Sequence, residues 1–268
     1  MRRSGIPYLT HSWPIFSGCW NWRDGFCAGD GSQFYCWAKA QTERFKTYYP
    51  HGFEPTIYWE RLNEPKRQKK GVRVGVAFMG DLFGMWPAWG KEHTGWRADF
   101  YIPRILEVVR DCPQHTFLFL TKRPENLAQF NPWPPNAEVG TTVTCQEDAN
   151  RNLIHLAKVQ AATRWVSLEP LLGPVDLTPW LGWRREELDR LPAEAAGLLV
   201  TCGRDKRCID WLVLGGSSRP KRYPKEAWVR AIEDAADAAG VAVFEKSNLY
   251  PAGKKRILRQ EYPKEVKL

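Results

Sequence analysis

The chain predicts an α/β protein: a partial or complete (β/α) barrel with parallel strands, preceded by an N-terminal cysteine-rich loop. Three observations carry this. From residue 72 onward, short β-rich runs recur that are apolar at nearly every position, as strands buried on both faces must be. Stretches with helical spacing of apolar residues lie between those runs, the alternation of βαβ units. The length, 268 residues, suits one large α/β domain. An open doubly wound sheet is the other arrangement of the same elements.

The strand candidates follow in order. Val72 to Met79 ends at Gly80-Asp81, Thr116 to Leu120 at Thr121-Lys122-Arg123-Pro124, and Ala137 to Val143 near Thr144-Cys145. Trp165 to Leu168 ends at Glu169-Pro170, Trp211 to Leu214 at Gly215-Gly216-Ser217-Ser218, and Val241 to Phe244 at Glu245-Lys246-Ser247. A further strand is expected over Leu9 to Phe16. Phe100 to Asp111 places Ile102, Ile105, Leu106 and Val109 on one helical stripe. Asp148 to Gln160 does so with Leu153, Leu156 and Val159. Lys225 to Ala239 does so with Trp228, Ile232 and Ala235-Ala236, and Gly240 follows as a C-cap. We read residues 1–268 as a single barrel-like domain, with 11–50 as the cysteine loop and first helix and 178–210 as an insertion. Within the insertion, Arg184 to Leu191 reads as a short helix and Leu198 to Thr201 as a short strand, and Cys202 and Cys208 bracket a basic loop.

Bulk properties narrow the function classes. No apolar run is long enough to span a bilayer, and the N-terminal residues lack the apolar stretch of a signal peptide, so a cytoplasmic protein with no membrane partner is expected. Seven cysteines in a reducing compartment point to free thiols or metal ligands more than to a disulfide scaffold. The net charge of +9 admits a polyanionic partner such as nucleic acid, with Lys66, Arg67, Lys69 and Lys70 as first candidates and Lys254-Lys255-Arg256 as a second cluster. A solvated basic face explains the same charge. The 14 tryptophans serve either core packing or base stacking.

Parallel α/β folds place chemistry at the carboxyl ends of their strands. Asp81, Thr121, Lys122, Glu169, Ser217 and Lys246 all stand there, and the expectation is that they share one end of one sheet. Each also has a structural alternative: Asp81 as a helix cap, Glu169 with Lys246 as a buried ion pair. The N-terminal segment carries Cys19, Cys27 and Cys36 among glycines, with seven residues in the first spacer and eight in the second. Three thiolates can hold three irons of a 4Fe-4S cluster and leave the fourth iron open. They can equally hold zinc, with His11 or Asp30 as a fourth ligand. Cys112, between a helix and a strand, reads as a buried packing thiol. Cys202 and Cys208 read as surface thiols, a redox pair or a second metal site.

Several segments together resemble a known family. They are Trp13-Pro14…Gly18-Cys19, Cys36 with its flanking aromatics, Gly80-Asp81-Leu82-Phe83 and Phe117-Leu118-Phe119-Leu120-Thr121-Lys122-Arg123-Pro124. Val139-Gly140-Thr141-Thr142-Val143, Ser167-Leu168-Glu169-Pro170-Leu171-Leu172-Gly173-Pro174 and Leu214-Gly215-Gly216-Ser217 follow in the same order. The chain is similar to the bacteriophage-associated gp thirty-seven/gp sixty-eight family, which resembles the radical S-adenosylmethionine superfamily. The resemblance implies a partial barrel and a cluster whose open iron chelates S-adenosylmethionine. Reductive cleavage by an external electron donor then gives a 5′-deoxyadenosyl radical that takes hydrogen from a substrate, here of unknown identity. It places Gly80 and Asp81 near the methionine amino group, Ser167 and Glu169 near the ribose or substrate, and Gly215, Gly216 and Ser217 at a close approach to the cofactor. Lys122, Glu169 and Lys246 would orient the substrate. The superfamily's cysteine loop is more compact; both spacers are longer here, which loop closure tolerates because its entropy grows slowly with length.

Two readings follow: a radical S-adenosylmethionine-like iron–sulfur enzyme acting on an unknown substrate, with a nucleic acid or nucleotide as one class; or a nucleic-acid-binding protein whose cysteines hold a structural zinc or iron–sulfur site without radical chemistry.

Overall fold

A computed structural model describes residues 1–23, 26–27, 36–84, 98–182, 208–252 and 257–263. The helix expected at Arg184 to Leu191, the strand at Leu198 to Thr201, Cys202, Asp30 and the basic cluster at Lys254-Lys255-Arg256 lie outside the described residues. So does the whole segment between Cys27 and Cys36, residues 28–35. The chain divides into two compact units, Met1–Glu138 and Val139–Leu268.

In the first unit, β1 (Arg2–Arg3), β2 (His11–Trp13) and β3 (Phe16–Gly18) lead into the short helix α1 (Trp20–Arg23). After α2 (Trp37–Arg44) come β4 (Thr56–Ile57), α3 (Glu64–Arg67), β5 (Arg73–Val76), β6 (Met79–Gly80), α4 (Ala98–Arg110) and β7 (Thr116–Thr121). β1 lies antiparallel on β2, and β2, β5 and β7 run parallel. The strand expected over Leu9 to Phe16 is two strands, because Pro14 cannot donate to a ladder. Val72 to Met79 is also broken. Ala77 sits at φ 58°, a left-handed conformation that costs a residue with a side chain, and its N–H bonds to Trp13 O at 3.0 Å. Past these two breaks the chain leaves the main sheet, and β3 pairs in parallel with β6, flanked by β4. The α4 stripe of Ile102, Ile105, Leu106 and Val109 is buried, as its spacing predicts. Phe83, Phe119, Phe130 and Trp133 pack ring against ring at centroid separations of 5.2–6.2 Å.

The sheet continues through β8 (Ala137–Thr142). The second unit adds α5 (Gln146–Leu156), β9 (Thr163–Leu168), α6 (Thr178–Leu181), β10 (Trp211–Leu214), the hairpin β11 (Ser217–Ser218) and β12 (Lys221–Arg222), α7 (Glu226–Ala239) and β13 (Ala242–Glu245). β9, β10 and β13 are parallel neighbours. Gly240 closes α7 at φ 65°, the left-handed C-cap its position predicts. Trp165 and Trp211 are wholly buried, and Tyr262 stacks on Trp211 at 5.9 Å, so these tryptophans are core and not a stacking surface.

The sheet order is β1-β2-β5-β7-β8-β9-β10-β13, and among the described residues it does not close into a barrel. Both edges are spoken for. β1 is two residues long, antiparallel and carries Arg2 and Arg3, which discourages further pairing. The outer edge of β13 is covered by the last described segment: Glu245 N–H donates to Arg259 O at 2.7 Å and Glu261 N–H to Val243 O at 3.0 Å. Among the described residues no helix is long and apolar enough to cross a membrane.

Candidate functional site

The β3–β6 ladder places the cysteine segment. Ser17 pairs with Met79 and Gly18 with Gly80, so the residues that follow, Cys19 and Asp81, emerge side by side. The approach is close enough to require glycine at both positions. A Cβ on Gly80 would stand 1.9 Å from Gly18 O, and one on Gly18, at φ 81°, would stand 2.3 Å from the Glu54 carbonyl. Gly80 thus serves this backbone contact, whatever else approaches it.

Asp81 is buried, and its carboxylate is saturated by four donors. Oδ1 accepts from Thr121 Oγ1 at 2.7 Å and from Phe83 N–H at 3.1 Å. Oδ2 accepts from Asn21 Nδ2 at 2.6 Å and from Lys122 N–H at 2.9 Å. A carboxylate offers about four lone-pair sites, so none is left for a ligand's amino group. Burial raises this carboxyl above its usual range, and the hydrogen bonds from Lys122 N–H, Thr121 Oγ1 and Phe83 N–H, with the Lys122 charge, oppose that. Asp81 is therefore a clamp that joins α1, the turn after β6 and the end of β7. The clamp extends to the cysteines through Asn21, whose backbone O accepts from Cys27 N–H at 3.1 Å and whose Oδ1 accepts from Arg123 Nε at 3.0 Å. The Arg123 guanidinium lies 3.6 Å from the Phe26 ring centroid. Sequence reasoning missed Asn21; its one signal is a polar residue between Trp20 and Trp22.

The three thiols lie within electrostatic reach of one another in a chain. Burial raises the Cys19 thiol strongly, and the charges of Asp81 and Cys27 add to this. Burial pushes Cys27 up to about 11, with Lys122 and Arg123 opposing and Asp81 and Cys36 adding. Burial also raises Cys36, and the backbone N–H groups of Lys39 and Ala38, at the start of α2, pull it back, as does Lys122. Cys36 is the N-cap of α2, and the Lys122 charge acts on both it and Cys27. Thiols raised in this way stay largely protonated at neutral pH unless a positive centre takes their charge. Among the described residues, no three His, Cys, Asp or Glu side chains come together at the spacing of a single metal ion. His11, named above as a fourth zinc ligand, instead has Nδ1 3.1 Å from Thr10 Oγ1.

In the second unit, Glu169 follows β9 and Lys246 follows β13, and the two form an ion pair. Asn248 Nδ2 donates to Gly216 O at 2.9 Å and reaches Glu169 Oε1 at 3.5 Å. The glycines here are explained by this packing. A Cβ on Gly215 would stand 3.0 Å from Glu169 Cγ, and one on Gly216 would stand 2.5 Å from Asn248 O. Glu169 and Asn248 thus approach these two glycines closely. Ser217 opens the β11–β12 hairpin, and Ser167 is buried in β9.

Outside these clusters, Cys112 is a buried free thiol, as its position predicts. Cys208 is buried and disulfide-bonded, so it is no surface thiol; burial behind Trp180, whose O accepts from Cys208 N–H at 3.1 Å, removes it from solvent. Lys66, Arg67, Lys69 and Lys70 are exposed before the amino end of β5, the opposite end of that strand from Asp81, and Lys66 pairs with Asp111 at 2.7 Å.

A family model described as a protein of unknown function, DUF5131, matches residues 3–255, and the chain belongs to that family. No curated protein and no solved structure matches it.

Proposed function

We propose that this chain is a radical S-adenosylmethionine-type enzyme that holds a 4Fe-4S cluster on Cys19, Cys27 and Cys36. The observation that carries the reading is the chain of three electrostatically linked thiols, Cys19 buried and Cys27 and Cys36 partly so, beside the clamp at Asp81, with the Lys122 charge acting on two of them. A cubane puts each sulfur on a different iron and spreads them more widely than one metal ion does, which favours a cluster over the zinc alternative. The open, mostly parallel sheet accords with a partial barrel. A cluster with an open iron, given S-adenosylmethionine and one electron from a donor protein, supplies reductive cleavage of the cofactor's carbon–sulfur bond. This chain's residues do the rest. Lys122 and Arg123 balance the thiolate charge, Asp81 and Asn21 hold the cysteine segment against the end of β7, and the helix start at α2 favours the Cys36 thiolate.

The test is anaerobic purification and reconstitution, followed by iron, sulfide and zinc analysis and a cofactor-cleavage assay. The reading expects about four irons and four sulfides per chain, loss of iron in Cys27→Ala, and release of 5′-deoxyadenosine and methionine under strong reductant. Stoichiometric zinc with no bound iron would select the other reading, a nucleic-acid-binding protein with a structural metal. A fully loaded cluster that leaves the cofactor intact would overturn the radical chemistry.

A further inference from the structure

The first unit holds a cleft of about 520 Å³ beside the cysteine segment. That is within the usual range of small-molecule sites, roughly 300–1,000 Å³. Its walls come from the carboxyl end of β2 (Trp13-Pro14), the turn after β5 (Phe78-Met79), one face of α2, and β1. Trp37, in its wall, directly follows Cys36. Two arginines and six aromatic residues line the cleft, and no carboxylate does. Trp37 and Phe45 are about half exposed, at 45% and 48%, which is unusual for rings of this size. The Arg2 guanidinium lies 3.6 Å from the Tyr48 ring centroid, which orients it and leaves its N–H edge free. Neither Arg2 nor Arg3 has a carboxylate partner among the described residues.

We infer that this cleft binds a nucleotide unit, free or within a single strand, with phosphate on Arg2 and Arg3 and the base stacked against Trp37 and Phe45. Each part of the wall argues for one part of that ligand. Unpaired guanidinium groups bind phosphate oxygens in a bidentate manner. Exposed aromatic rings accept any base, because every base has a π-face. The cleft does not suit S-adenosylmethionine, whose ammonium and sulfonium would meet two like charges and no acid. Duplex nucleic acid does not suit it either, since paired bases cannot reach rings inside a cleft. The inference deepens the proposed function by naming a substrate class, and it rests on that reading only in calling the ligand a substrate. The binding itself requires no cluster.

Fluorescence anisotropy of a labelled oligothymidylate, titrated with the full-length protein at several salt concentrations, tests it. Arg3→Ala and Phe45→Ala remove exposed side chains, so they leave the fold in place, and circular dichroism checks this. Each should weaken binding about tenfold. Arg2→Ala combined with Arg3→Ala should lower the slope of log affinity against log salt by about 1.4, at roughly 0.7 per phosphate contact. Lys69→Ala combined with Lys70→Ala, at the other end of β5, should bind as the parent does. Protein purified without iron should bind as the reconstituted protein does, so that failure of the cluster reading and failure of this one are separable. Displacement by adenosine monophosphate would identify a free nucleotide as sufficient; persistence against it would identify a strand as the ligand. Unchanged affinity in the cleft variants, a preference for duplex, or loss of binding only in the Lys69/Lys70 variant would overturn the inference.

Discussion

Asp81→Asn isolates the clamp that holds the cysteine segment. Asparagine keeps the shape of aspartate, so no cavity opens. It keeps one carbonyl oxygen and presents an amide NH2 in place of the other. If that NH2 replaces Oδ2, it meets two donors, Asn21 Nδ2 and Lys122 N–H; if it replaces Oδ1, it meets Thr121 Oγ1 and Phe83 N–H. In either orientation a buried backbone N–H loses its acceptor, at a cost of about 1–3 kcal/mol, and a hydrogen bond to a charged group, worth about 1.5–3 kcal/mol, is lost with it. Removing the charge relieves the desolvation that raises this carboxyl, which offsets part of the loss. The net destabilisation should be about 2–4 kcal/mol, read from urea unfolding of the first unit's tryptophans. Thermal melting should fall by roughly 5–15 °C. Because Asn21 O also holds Cys27 N–H, iron loading should fall in parallel. A variant that unfolds within about 0.5 kcal/mol of the parent would refute the clamp, since that is the scatter of substitutions that touch nothing.

Two further outcomes follow from the geometry. A double-mutant cycle with Glu169→Gln and Lys246→Met should give a coupling of about 1–2 kcal/mol, because the side chains are only 23% and 16% exposed; a coupling under about 0.5 kcal/mol would reduce the pair to an ordinary surface contact. His11 is held below its usual value of 6.5 by burial, then by Arg3 and the amino terminus. Between its folded value and 6.5 the unfolded chain binds more protons, so stability should fall as pH drops through that window, and His11→Asn should flatten this slope. An identical acid slope in the variant would assign it to another group.

The second unit was largely legible from its residues. The continuous apolar runs at 165–168 and 211–214 lie within or coincide with β9 and β10, and β13 begins one residue after the expected run. The αL position of Gly240 follows from its place after the last periodic residue of α7. Period and punctuation are local properties, so a single chain reveals them. The ion pair of Glu169 with Lys246 was legible as an alternative, because both follow strands, but not as a choice between that and a substrate contact.

The amino-acid sequence by itself determined the α/β class, the strand ends that carry polar residues, and the three-cysteine segment. Tertiary structure alone decided what those residues face. The left-handed turn at Ala77 and the break at Pro14 send β3 and β6 out of the main sheet together, and no helical or strand period encodes that departure. Only the resulting ladder makes Asp81 a saturated clamp and ties it through Asn21 to Cys27. The outer edge of β13 is covered by the segment that pairs along it, through Arg259 and Glu261. Those are contacts between residues distant in sequence, and their energy is set by position in space, which no local pattern records.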